Sequence, residues 1–437
     1  MLKRAASFAA LNALVREGEA RISQERVTPR RTARVCIVIF LNGGPSHIDT
    51  FDVKDASWNP PDANIQQQGK FALSQTLFPK FSQLTGDLCV LRSVRSWEAA
   101  HERGVFYMQT AHPSNPAFVA ETPHIGAVVG LENSGPDAAM PPFLSLNQEG
   151  STAPMQGSTF LGGQLSPFAA PTAEGGLATI EHNFFGEPSS SQRRFEERYR
   201  LRGELEVLAD SGPDLGKADH AVFYQTAKRM VYNQNIAKVF QFSRADNDRY
   251  GGTDLGRAAI VARNAVQANN GTVFIALTQG GWDLHQNMFY RTASDNMYKL
   301  CYELDTAIAT LVWDLKASGN FSETLIVLVG EFGRTPGPLN PRGGRDHHRD
   351  AMSVVMMGGG IAGGRIIGAT NNTGAAIVDP GWSAGRPIVM EDIAATIYDA
   401  LGINWTKSIE HTPSGRKFEY VPFAAQGLYV PINEVFA

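Results

Sequence analysis

Hydrophobic residues along the chain gather into short unbroken runs, each followed by a polar, glycine-rich loop. The run Val35-Cys36-Ile37-Val38-Ile39-Phe40-Leu41 shows no alternation and passes into Asn42-Gly43-Gly44-Pro45. Such a run predicts a strand buried on both faces, as in a parallel sheet with helices on either side. A second strand is predicted over 89–94, leading to a helix over 101–110. A third, over 272–277, runs on to Gly280-Gly281-Trp282-Asp283-Leu284-His285, and a helix over about 295–318 precedes a fourth at 324–329. That strand ends at Gly330-Glu331-Phe332-Gly333-Arg334, and a fifth at 353–357 runs into three glycines. The alternation of strand, polar loop and helix is the signature of a doubly wound α/β sheet. Ligands in such sheets bind beyond the carboxyl ends of the strands, which is where the polar clusters fall.

Between about 135 and 247 the pattern changes to loops rich in Gly, Pro and Ser, then to charged helical stretches at 191–209 and 217–242. This segment reads as an insertion over the sheet, a lid or partner surface. Residues 1–33 read as an N-terminal extension ahead of a domain spanning 34–437. Lys3 and Arg4 precede only a weak apolar stretch, and Arg30-Arg31 lacks the apolar run of an export signal, so no complete signal peptide is visible.

Charge narrows the partners. With a net charge of -4 there is no basic excess to suggest nucleic acid. The apolar runs fall far short of the ~20 residues a membrane helix needs, so no span is expected. The three cysteines, Cys36, Cys89 and Cys301, form no paired framework and read as buried thiols.

Five groups of residues carry candidate chemistry. Asp283 and His285, one residue apart on a glycine-rich loop, can turn toward one cation, or Asp283 can cap the next helix with His285 in solvent. Gly344-Arg345-Asp346-His347-His348-Arg349-Asp350 offers two imidazoles with carboxylates placed to orient them. Glu331, directly after a buried strand, needs a metal or a cationic partner such as Arg334 or Arg345. Asn42, His47 and Asp49 lie at another strand end, as ligands or as turn formers. His101, which opens the helix after the second strand, is a catalytic candidate expected to face the same site, and Arg103 could clamp an anion drawn to the helix N-terminus.

The segments Gly43-Gly44-Pro45-Ser46-His47-Ile48-Asp49-Thr50-Phe51-Asp52, Gly280 to His285, Glu331-Phe332-Gly333-Arg334-Thr335-Pro336 and Gly343 to His348 closely resemble the bacterial family called domain of unknown function 1501. The resemblance covers about residues 34–402. It implies an alkaline-phosphatase-like α/β fold, a mostly parallel central sheet flanked by helices, with a loop-rich and helical insertion. It also implies a periplasmic or extracellular location. Carried over, the superfamily's metal ligands fall on Asp283, His285, Glu331 and His347 or His348, with Phe332 where a histidine is common. Asn42 stands where the first metal-binding aspartate is expected unless Asp49 serves instead. Asn42, His47 and Asp346 would then support the ligands from behind. None of the cysteines lies in Cys-x-Pro-x-Arg, which argues against a formylglycine sulfatase. Ser96, Ser93 or Thr110 could supply a hydroxyl nucleophile, or a metal-activated water could serve.

These expectations combine into a metal-dependent hydrolase of a phosphate or sulfate ester, small or polymeric. One or two divalent ions, zinc or manganese favoured, would be held by Asp283, His285, His347, Glu331 and Asp49, with Arg103 or Arg334 neutralising the anion. A non-catalytic relative that binds a polysaccharide or partner protein is the competing reading, and a mutase or transferase a third. The sequence sets no oligomeric state.

Overall fold

The computed structural model describes residues 27–135, 138–148, 154–170, 172–173, 176–177, 193–194, 196–198, 200–201 and 234–437. Eight strands form one sheet: β1 (Val35–Leu41), β2 (Cys89–Val94), β3 (Phe143–Leu146), β4 (Phe168–Ala170), β5 (Phe274–Gln279), β6 (Thr324–Val329), β7 (Met352–Met357) and β8 (Arg365–Ile367). Their spatial order is β8-β2-β7-β6-β1-β5-β3-β4. β1 lies between β5 and β6 and parallel to both, with Cys36 opposite Phe274 and Leu325.

The helices that flank the sheet among the described residues include α1 (His101–Thr110), α2 (Ile125–Asn133), α3 (Asp254–Ala268), α4 (Met297–Ala317) and α5 (Met390–Ala400). Because side chains alternate along a strand, β1 serves two cores. Val35, Ile37, Ile39 and Leu41 pack with α3 and α4, whereas Cys36, Val38 and Phe40 pack with α1, α2 and α5. Burial on both faces is what the unbroken apolar run requires, and all seven β1 residues are buried. Thr253 and Asn296 cap α3 and α4 by accepting from the amides of Gly256 and Lys299, which fixes where each helix begins.

The structure refines the expected elements. The strand expected at 272–277 occupies 274–279, and the long helix spans 297–317. β7 is antiparallel to both β6 and β2, unlike a doubly wound neighbour. A parallel return from β6 would need a crossover, usually a helix. Residues 330–351 instead make loops and a small ribbon, Gly333–Arg334 against His347–His348, so the chain re-enters the sheet from the edge it left. The two antiparallel contacts of β7 cancel, and β2 points the same way as β1, β5 and β6. Residues following β1, β2, β5 and β6 therefore share one edge of the sheet with those preceding β7.

Within the span expected as an insertion, β3 and β4 extend the sheet in parallel from β5. Most of the helical stretch expected at 191–209 lies outside the described residues. Of 217–242 only 234–242 is described, with a helix at Gln234–Val239. Of the expected N-terminal extension, residues 1–26 lie outside the described residues. Residues 30–33 run along the end of α5, where Arg30 pairs with Asp399 and the Ala33 amide donates to Ala400 O at 2.8 Å. No helix among the described residues is long and apolar enough to cross a membrane.

Candidate metal centre

The shared sheet edge brings together His101, Asp283, His285 and His347. Each offers one ligand atom, and these four atoms all lie within 4.8 Å of one another. Three imidazole Nε2 atoms converge on Oδ1 of Asp283, at 3.2 Å from His101, 3.0 Å from His285 and 3.4 Å from His347. Each ring is held from behind through its Nδ1: His101 on Glu331 Oε1, His285 on Asp346 Oδ1 and His347 on the carbonyl of Ala99, all at 2.7 Å. Because a carbonyl or carboxylate oxygen accepts, each Nδ1 carries a proton, which leaves Nε2 as the nitrogen each ring turns toward Asp283.

Local sequence explains the placement. Asp283 follows β5 on a turn that packs directly on the loop after β1, with the Trp282 amide donating to Asn42 O at 3.2 Å. A Cβ on Gly43 would lie 2.3 Å from the Asp283 nitrogen, and Gly43 has φ +112, so both contact and conformation require glycine. His347 sits opposite Arg334 in the small ribbon, which puts both beside Asp283. Phe332 buttresses two of the rings, with centroids 5.0 Å from His101 and 4.6 Å from His347. The loop of 283–288 is zipped to that of 340–346, where the Arg345 amide donates to Leu284 O at 3.0 Å and the Met288 amide to Gly343 O at 2.8 Å.

Buried Arg334 donates to the carbonyls of Gly43, Gly44 and Arg345 and to Asp283 Oδ1. Partial burial acts to raise the Asp283 carboxyl, but His101 and Arg334 outweigh it and hold the group well below the usual range. For His101, burial acts to lower the pKa, and the adjacent Asp283 and Glu331 more than reverse this, lifting it to about 9. Burial lowers His347. The cluster is electrostatically matched to a positive charge at its centre. His101 Nε2 is buried 3.2 Å from Asp283 Oδ1 without an aligned hydrogen bond, so a bound cation could take the place of the proton that its raised pKa implies. Three imidazole nitrogens and a carboxylate, with one nitrogen orphaned, fit a divalent transition metal. Asp283 is 39% exposed, which leaves one side open to solvent.

The other expected site residues are placed differently. Glu331 is buried and serves His101, its Oε1 also accepting from the Gly43 amide at 2.9 Å. Asp49 faces buried Arg345, whose Nε donates to it at 2.7 Å, and accepts from Ser46, which leaves it outside the cluster. His348 turns to the Ala375 carbonyl at 3.1 Å and stacks on His47, whose own Nε2 meets the Gly374 carbonyl at 2.8 Å. Asn42 is buried beneath the Asp283 turn. Arg103 is exposed and donates to Glu98 at 2.7 Å. Ser96 Oγ accepts from the Glu98 amide at 3.2 Å, Ser93 donates to the Pro380 carbonyl, and Thr110 to that of Phe106. All three cysteines are buried, and burial raises their thiols.

Reading the sequence alone missed three contributors. The Ala99 carbonyl carries no side-chain signal. Arg345 was visible only as a partner for Glu331, whereas it ties Asp49 to the carbonyls of Thr335 and Gly337. Asn340 donates to the His285 carbonyl at 3.1 Å, from a loop with no chemical motif of its own.

No curated protein sequence matches the chain. Solved structures similar to it include Ps i-CgsB in complex with k-i-k-neocarrahexaose, at 12% identity and TM-score 0.43, covering 92% of this chain and 77% of that one. PsFucS1 sulfatase from Pseudoalteromonas sp. aligns at 11% identity and TM-score 0.38, covering 93% and 73%. A protein in the alkaline phosphatase superfamily from Vibrio parahaemolyticus aligns at 10% and 0.37, covering 86% and 69%. At the level of sequence families, the one described as protein of unknown function (DUF1501) matches residues 33–426, nearly the whole chain, and the chain belongs to it.

Proposed function

We propose that the chain is a metal-dependent hydrolase of a phosphate or sulfate ester, small or polymeric, working outside the cytoplasm with one divalent ion held by His101, Asp283, His285 and His347. The observation that carries this reading is the convergence of three imidazole Nε2 atoms on one Asp283 oxygen, each ring fixed through its Nδ1. Zinc or manganese suits the donor set, since calcium and magnesium prefer shells of oxygen. Such an ion, when bound, polarises an ester oxygen or lowers the pKa of a bound water.

The chain's own residues prepare that site. Glu331, Asp346 and the Ala99 carbonyl keep the three rings in the tautomer that presents Nε2. Arg334 keeps Asp283 ionised and anchors it to the loop after β1, a positioning role in place of the anion clamp expected for it. With Glu331 and Asp49 engaged elsewhere, the reading uses one ion rather than two. Ser93 donates to the Pro380 carbonyl, Ser96 accepts from the Glu98 amide and Thr110 donates to the Phe106 carbonyl, which supports water as the nucleophile. The engagement of these three hydroxyls favours, as a second reading, a relative that binds its ligand without turnover.

Elemental analysis of protein purified without added ions tests the site, comparing wild type, His285→Ala and the exposed control His411→Ala. Stoichiometric zinc or manganese in wild type and control, lost in His285→Ala, is expected. Equal substoichiometric metal in all three rejects the site. Aryl phosphate and aryl sulfate assays on loaded and chelated protein then separate the readings, because metal without hydrolysis of either ester favours the binding protein.

A further inference from the structure

The carboxyl ends of β3 and β5 open into a second recess, of about 230 Å³, lined by polar residues. That is room for roughly seven waters at ~30 Å³ each, the scale of one sugar ring. Asn147 follows β3, Thr278 and Gln279 end β5, Asp254 opens α3, and Lys299 and Glu303 project from α4. Thr278 is only 3% exposed, lines the recess, and its Oγ1 has no partner. Buried hydroxyls in folded proteins are almost always bonded, so an unpartnered one in a cavity wall is a place held for a ligand group. Glu303 uses one oxygen on Gln279 Nε2 at 3.2 Å, and burial raises its carboxyl against that bond.

The lining selects by charge. Glu303 repels an anion, and the Arg257 beside Asp254 is taken up in pairing with it. Lys299 stands one helical turn from Glu303, its ammonium on the Ser294 carbonyl at 3.0 Å and Asp295 at 3.3 Å, and disfavours a bare cation. An apolar group would leave the Thr278 hydroxyl and the second Glu303 oxygen desolvated without partners. We propose that this recess binds a neutral, hydroxyl-rich group, a single sugar ring, donating to Glu303 and Thr278 and accepting from Lys299. The recess is coupled to the metal centre along the chain: Trp282 Nε1 donates to Gln279 Oε1 at 3.2 Å, immediately before Asp283.

Saturation-transfer NMR on the full chain after chelator treatment tests it, with methyl glucoside, galactoside, mannoside and fucoside as probes and choline and sulfate as charged comparators. At least one glycoside is expected to bind while choline and sulfate do not. Its Kd should rise at least about tenfold in Thr278→Val and stay near wild type in Thr278→Ser. Glu303→Gln provides a second variant should Thr278→Val fail to fold, with the same direction expected. Binding of no glycoside, preference for choline or sulfate, or glycoside binding indifferent to the folded variants overturns the proposal. Because the metal is removed, failure of the hydrolase reading leaves this result unaffected.

Discussion

Gly344→Ala tests whether the metal centre depends on the zipped loops rather than on its ligands alone. A Cβ at Gly344 would lie 2.1 Å from the His285 carbonyl carbon, 2.3 Å from the Gln286 nitrogen and 2.4 Å from the Leu284 oxygen. All three are backbone atoms, and real Cβ contacts essentially never fall below 3.0 Å, so the loop carrying His285 must retreat by about 0.9 Å from the loop carrying His347. Metal–ligand distances tolerate only about ±0.2 Å, so a displacement of this size separates His285 from its partners. The expected result is a fall in metal affinity of at least about tenfold, or ~1.4 kcal/mol. Overpacking should also cost about 1–3 kcal/mol of stability. Gly86→Ala, where a Cβ meets nothing within 4 Å, is the control. Competition titration against a chromophoric chelator and calorimetric Tm on the three proteins read both effects. Wild-type affinity and Tm in Gly344→Ala would refute the argument that these loops set the ligand geometry.

Three further outcomes are expected. Glu331→Gln weakens the acceptor that holds His101 Nδ1 and should lower metal affinity about 10- to 100-fold; an unchanged chelator titration means His101 is not held this way. Burial lifts the Glu391 carboxyl to about 7 against the opposing bond from Tyr107. The unfolded chain then loses this proton first, so between pH 4.5 and 7 the native state binds more protons and stability falls as pH rises, by about 3 kcal/mol over the window. Denaturation at pH 4.5 and 7.5 should show that fall in wild type and its loss in Glu391→Gln; equal slopes in both proteins contradict it. Arg103→Ala should leave metal content, Tm and any ester hydrolysis unchanged, since Arg103 turns outward to Glu98; a collapse in turnover with metal retained restores the clamp role.

The strands were legible because burial on both faces imposes continuous apolar runs, and 35–41, 89–94 and 324–329 match their runs to the residue. The metal cluster was partly legible, because Asp283, His285 and His347 sit in loops too polar and glycine-rich to be packing segments. What each carboxylate does was not legible. Asp49 and Glu331 are both acidic residues at strand ends, yet Asp49 is neutralised by Arg345, 296 positions away, and Glu331 by hydrogen bonds to Gly43 and His101. Those partners are set by tertiary packing, and no local pattern encodes them. The direction of β7 was hidden for the same reason: its residues are equally apolar in either sense, and only the route of 330–351 decides.

That route is what completes the metal centre. Parallel strands deliver their carboxyl ends to one edge, so β5 brings Asp283 and His285, β6 brings Glu331, and the loop after β2 brings His101. His347 precedes its strand, and in a parallel β7 it would emerge at the opposite edge. Antiparallel entry reverses this and sets His347 3.1 Å from His285. It also makes the ribbon that pairs His347 with Arg334, so one topological departure supplies both the third imidazole and the guanidinium that holds Asp283. Since the four candidate ligands come from three chain segments far apart in sequence, no isolated segment carries the whole set, and on the proposed reading binding the ion and keeping the sheet edge assembled become one equilibrium.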